Sequence, residues 1–183
     1  MEKTRRIIVM MSIVMLSMLA MNSCNKLIIK GSFAEVQRVN KFNIEMDWSK
    51  IHINGLTPYE WIRFRNAEQP IFDAEEEYQT ELKPRWIDMV DACNDELNEK
   101  QVYLFPNDSR QYYKLIVTPL QIDRNGNIKA LCTIKDYNSR VLVIFALTGE
   151  GGRVGSMSNL WGDGFKSAGK NLAKILEKNL HIY

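Results

Sequence analysis

Gly164-Phe-Lys-Ser-Ala-Gly169-Lys170-Asn171 is the segment whose spacing comes nearest to a known chemical motif. It nearly matches G-x-x-x-x-G-K-[ST], the loop that cradles phosphate on backbone N–H groups. Asn171 stands where a hydroxyl should hold magnesium. The spacing of Phe165, Ala168 and Leu172 also predicts that the stretch is already helical, so its N–H groups are consumed within the helix. A nucleotide cradle is therefore not expected here. A second candidate is Gly149-Glu-Gly151-Gly152-Arg153-Val-Gly155. Its backbone N–H groups can hold an anion, with Arg153 assisting, so Gly151, Gly152, Arg153 and Gly155 form the candidate ligand loop. The competing reading is a mobile connection whose glycines supply positive φ.

Other reactive residue types are scattered. His52 and His181 are the only histidines, and neither has metal-ligand spacing to the other or to a cysteine. The acids Asp73, Glu75, Glu76 and Glu77 read as charge at the positive end of a helix. Ser109, Ser156 and Ser158 lack the strand–turn–helix context of a nucleophile elbow. No catalytic residue, metal ligand or cofactor is assigned. Cys93 and Cys132 fall on inward faces and read either as plain buried thiols or as a bridge whose Cα separation the spacing does not determine.

The elements that position these residues follow from periodicity. Phe42, Ile44 and Met46 alternate with polar neighbours, as in a half-buried strand, and Ile51 and Ile53 resume it. Thr57-Pro58-Tyr-Glu60 is a capping box with proline at the first helical position. Asp73-Ala-Glu-Glu76 opens the longest helix, with a stripe of Tyr78, Leu82, Trp86, Met89 or Val90, Cys93 and Leu97. Pro84 lies inside that stripe and kinks or divides it. Val102 to Phe105 is a short edge strand. Tyr112–Ile122 and Ile128–Tyr137 form a hairpin around Asn125-Gly126. Asn138-Ser139 turns into Val141–Leu147, whose lack of a polar face predicts cover on both sides. Gly149 to Gly164 reads as a loop, and a last helix from Asp163 to Leu180 buries Phe165, Ala168, Leu172, Ile175 and Leu176.

The amino terminus states a location. Lys3, Arg5 and Arg6 precede an uncharged run from Ile7 to Met21, and Asn22-Ser23-Cys24 closes it. This is the pattern of a secretory signal peptide, too short for an ordinary spanning helix of roughly 20 apolar residues. Met21-Asn22-Ser23-Cys24 resembles a loose lipobox, the site at which bacterial lipoproteins are cut before a lipidated cysteine. Met21 and Asn22 replace the usual leucine and small residue. The resemblance implies removal of residues 1–23, lipidation of Cys24 and a tether over 24–41, with the membrane as the first partner. Asn25 after the cysteine implies sorting to the outer membrane, facing the periplasm.

Without Glu2, Lys3, Arg5 and Arg6, the 24 basic and 22 acidic residues become 21 of each. A neutral domain carries no electrostatic footprint for nucleic acid. The order β-α-α-β-β-β-β-α over 42–183 predicts a single α+β domain: a mostly antiparallel sheet of about four to five strands with helices packed on it. This layout is similar to the small domains of envelope assembly lipoproteins, such as the amino-terminal domain of TolB or the curli secretion lipoprotein. It implies a non-catalytic binding or assembly role with an envelope protein as partner. The alternative is a periplasmic small-ligand binder or hydrolase using the Gly149–Gly164 loop.

Overall fold

The computed structural model describes residues 28–181. Cys24 and the expected signal peptide lie outside them. Seven strands form one mixed sheet: β1 (Ile28–Gly31), β2 (Lys41–Met46), β3 (His52–Ile53), β4 (Tyr103–Pro106), β5 (Lys114–Ile122), β6 (Ile128–Lys135) and β7 (Val141–Gly149). The order is β1-β7-β6-β5-β2-β4, with β3 beside β5. Among the described residues four α-helices accompany it: α1 (Pro58–Glu68), α2 (Ala74–Glu76), α3 (Ile87–Leu97) and α4 (Met157–Asn179).

The α+β content matches the expectation, but the sheet is mixed rather than mostly antiparallel and larger than expected. β5, β6 and β7 form the expected antiparallel meander. β2 is parallel to both neighbours, β4 and β5, and β3 is parallel to β5. The cause is the helical crossover between β2 and β4: a chain leaving one strand and returning through helices arrives parallel. The tether expectation also needs correction. β1 pairs with β7, Phe33 and Val36 are buried, and the Phe33 and Phe145 rings lie 5.4 Å apart. The domain thus begins by Ile28, and the fourteen residues from there to Lys41 belong to it.

Local signals formed as their chemistry dictates. Thr57 accepts from the Glu60 N–H, and Glu60 returns a bond to the Thr57 N–H, closing the capping box of α1. Asp73 accepts from the N–H groups of Glu75 and Glu76. Pro84 neither breaks nor simply kinks the long helix. The chain widens to a π-turn over Glu77–Leu82, where the Lys83 N–H reaches the Tyr78 carbonyl, then tightens to 3-10 over Lys83–Trp86. The stripe stays in phase: Tyr78, Leu82, Met89, Val90, Cys93 and Leu97 are all buried, and Trp86 packs against the core in part.

α4 starts at Met157, six residues before the expected boundary, with Ser156 accepting from the Asn159 N–H as its cap. Gly162, expected in the loop, lies inside the helix with Gly164: a Cβ on Gly162 would meet the Arg85 guanidinium and one on Gly164 the Gly126 carbonyl. α3 and α4 pack on one another and on one face of the sheet, with Phe165, Ala168, Leu172 and Leu176 inward and Lys166, Lys170 and Lys174 exposed. Among the described residues no helix packs on the opposite face. β7 is therefore not covered on both sides: Val143, Phe145 and Leu147 are buried toward α4, whereas Ile144 and Ala146 are half-buried on the open face.

Candidate functional site

The β5–β6 turn and the β7–α4 loop meet at one end of the sheet. Asp123 organises the turn by accepting from the N–H groups of Asn125 and Asn127 and from Asn127 Nδ2, at 2.9, 3.0 and 2.9 Å. Gly126 holds φ at 80°, the left-handed residue this turn needs. The β6–β7 turn repeats the device with Asp136 as acceptor and Ser139 at φ 64°. Across the loop, Gly151 N–H donates to Asn127 Oδ1 at 2.9 Å and Glu150 N–H donates to Ser167 Oγ at 2.9 Å.

These bonds decide what the glycines do. A Cβ on Gly164 would collide with the Gly126 carbonyl, and one on Gly151 with the Asn125 carbonyl. The glycines let three backbone segments touch, which is a packing role. Two N–H groups that an anion nest would need are already bonded within the protein. A cleft of about 540 Å³ remains, lined by Gln121, Asp123, Asn125, Lys129, Glu150 and Arg153 among others. Gly151, Gly152 and Arg153 are among the residues that line it. Gly155, at φ 136°, lies one residue before the helix cap instead.

The near-phosphate loop is wholly inside α4. Gly169 faces the Met89 carbonyl of α3, and Asn171 Nδ2 donates to the Thr148 carbonyl at 2.9 Å. Lys170 is exposed. Cys93 and Cys132 are free thiols, each buried, and burial pushes both well above the ordinary thiol range. His52 Nδ1 lies 3.3 Å from the Lys50 carbonyl and the imidazole is exposed, while His181 N–H donates to the Gln37 carbonyl. Among the described residues no three His, Cys, Asp or Glu side chains converge as a metal site, and no helix is long and apolar enough to cross a membrane.

Sequence reasoning passed over a second cleft, of about 530 Å³, at the other end of the sheet. Glu35, Arg38, Lys41, Arg110, Tyr112 and Tyr113 contribute to it. Arg110 is committed to Asp108, with bonds of 2.8 and 3.0 Å from Nε and Nη2. That guanidinium, together with Gln111, holds the Asp108 carboxyl well below the usual carboxylate range. The signal available was the short Asp108-Ser-Arg110 pair, which by spacing alone is indistinguishable from any surface turn. Asp47 is likewise lowered, by the Ser49 hydroxyl first and the Ser49 N–H second.

No family model and no curated protein matches the chain. Two solved structures of the PelC dodecamer from Paraburkholderia phytofirmans, one of them a point variant, are similar to it at 9% identity. They give TM-scores of 0.37 and 0.38, covering 81% and 80% of this chain and 98% and 97% of theirs. Scores this low carry no argument about fold or function.

Proposed function

We propose that this chain is a membrane-anchored lipoprotein of the cell envelope with a non-catalytic binding or assembly role, held at the outer membrane on its periplasmic side through Cys24. The open face of the sheet supports the binding role. Register places Ile116, Thr133 and Ile144 in one row across β5, β6 and β7, and Thr118, Leu131 and Ala146 in the next. Ile116, Leu131, Thr133, Ile144 and Ala146 are only half-buried. A sheet whose second face is largely aliphatic and, among the described residues, packed by no helix fits a partner surface. Beside these rows the Lys114–Glu45 pair, at 2.8 Å, and Asn43 Nδ2 donating to Glu45 at 2.8 Å add a polar border.

A second reading, a small-ligand binder or hydrolase, draws on the polar cleft beside the Gly149–Gly155 loop. It is less well supported, because the Gly151 and Glu150 N–H groups and both polar atoms of Asn127 are already engaged.

Two linked measurements test the proposal. Cys24→Ala should move the protein from the membrane fraction to the soluble periplasm. A photo-crosslinking residue at Thr133 or Ile144 should give a discrete adduct in cells. A Cys24→Ala protein that stays in the membrane fraction, together with no adduct from either position, removes the reading.

A further inference from the structure

The route of the chain into β1 constrains which end of the domain approaches a bilayer. β1 runs antiparallel to β7, with Gly31 opposite Val143 and Ile28 opposite Phe145. β1 therefore has its first residue, Ile28, nearest the end where β7 reaches Gly149. Cys24 is four residues upstream of Ile28, and no conformation takes it farther than about 14 Å from that residue. With β1 in the sheet, only residues 25–27 separate Cys24 from the domain.

The same end carries an unusual share of exposed apolar side chains. Val154 is 90% exposed at the tip of the β7–α4 loop. β3 pairs with the last two residues of β5, Gln121 and Ile122, so α1 also departs from this end. α1 buries only Trp61, leaving Tyr59 69% and Phe64 54% exposed. Ile71, in the turn after α1, is fully exposed, and Phe72 beside it is partly so. Arg63 is exposed and lies over the Tyr59 ring at 5.7 Å, a pairing that lets an aromatic ring sit in apolar surroundings while the guanidinium stays wet, whereas Arg65, over Phe72 at 5.4 Å, is half-buried and held by Glu77 at 3.3 Å. Exposed Ile28 and Ile29 on β1 adjoin the exit of the chain. Of the other exposed apolar residues, Tyr112, Tyr137 and Val141 belong to the opposite end and Ile87 to the first turn of α3.

We propose that the end bearing Val154, Ile71, Phe64 and Tyr59 is a membrane-contact surface that rests its apolar side chains among lipid headgroups. The proposal rests on the reading of Cys24 as the lipid anchor. It fixes which end of the domain meets the bilayer, whereas the acyl chains on Cys24 supply the firm hold. Charges at this end are mixed: Arg63, Lys129 and Arg153 accompany Glu60, Glu150 and Asp163. The attraction is therefore apolar, and neutral vesicles suffice.

The test places an environment-sensitive thiol label at Val154→Cys, at Ile71→Cys and, at the far end, at Asn138→Cys. Cys93 and Cys132 are fully buried and stay unlabelled. Full-length protein purified from membranes is reconstituted in phosphatidylcholine vesicles containing brominated lipid. Labels at 154 and 71 should shift to the blue and be quenched, in low and high salt alike, and the label at 138 should do neither. If the protein floats with the vesicles but 154 and 71 are unquenched, or if 138 is quenched equally, this surface is refuted while the anchor stands. If Cys24 carries no lipid, the anchor reading fails on its own. The labelled Cys24→Ser chain added to the same vesicles then decides the surface: quenching at 154 and 71 keeps it, and no quenching discards it.

Discussion

Phe165→Ala is the substitution on which the packing account makes its largest demand. The ring is 1% exposed and stands between Trp48 and Trp161, with centroids 6.2 and 6.4 Å away. Truncating a fully buried phenylalanine costs about 3–5 kcal/mol through lost transfer energy and the cavity left behind. The aromatic neighbours cannot close that cavity easily, because Trp161 is itself buried against Tyr78. A domain of this size has about 5–15 kcal/mol of stability to lose. In this size range about 1 kcal/mol corresponds to a shift of roughly 2–4 °C, so the melting temperature should fall by roughly 6–20 °C. Lys166→Ala, one residue on and exposed, controls for helix effects and should move it by less than about 2 °C, since surface changes are usually within ±0.5 kcal/mol. Circular dichroism melts with matched urea titrations read both variants. A Phe165→Ala protein that melts with the wild type would refute the placement of α4 on the sheet.

Three further outcomes follow from the same coordinates. In a chain lacking Cys24, Cys93 and Cys132 should resist a thiol reagent until denaturant unfolds the domain; rapid labelling of the native protein would contradict their burial. Asp47 and Asp108 have lower pKa values folded than their ordinary 3.8, so their stabilisation is complete above that range and is lost as pH falls through the lowered values. The urea midpoint should accordingly show no loss from these two groups between about pH 7 and 5 and fall below about pH 4, and a midpoint that rises on acidification would reverse the sign. Lys170→Ala should leave both the melting temperature and any nucleotide titration unchanged; tight ATP binding by the wild type that this variant loses would show the near-match to be a real phosphate site.

What was legible in the sequence is what local chemistry determines. The Thr57 and Asp73 caps, the Asn125-Gly126 turn and the stripe from Tyr78 to Leu97 depend on neighbours within a few residues, and each formed. The parallel pairing of β2 with β4 and β5 was not legible, because alternation gives a strand its faces but not its neighbours. The all-apolar run of β7 suggested two covered faces, yet periodicity cannot tell a helix-covered face from one on which no described helix packs. β1 escaped notice because four residues, Ile-Ile-Lys-Gly, are too few to show a period. At the candidate site, glycine spacing identified the loop and the cleft rim. Whether its N–H groups were free depended on Asn127 and Ser167, which are distant in sequence from the groups they occupy.

The mass of the N-terminal peptide of the protein isolated from membranes tests the lipid anchor most directly. The peptide should begin at Cys24 and carry a diacylglyceryl thioether with an acylated amine. A peptide that retains Met1, or a mature terminus elsewhere with Cys24 unmodified or absent, would contradict it.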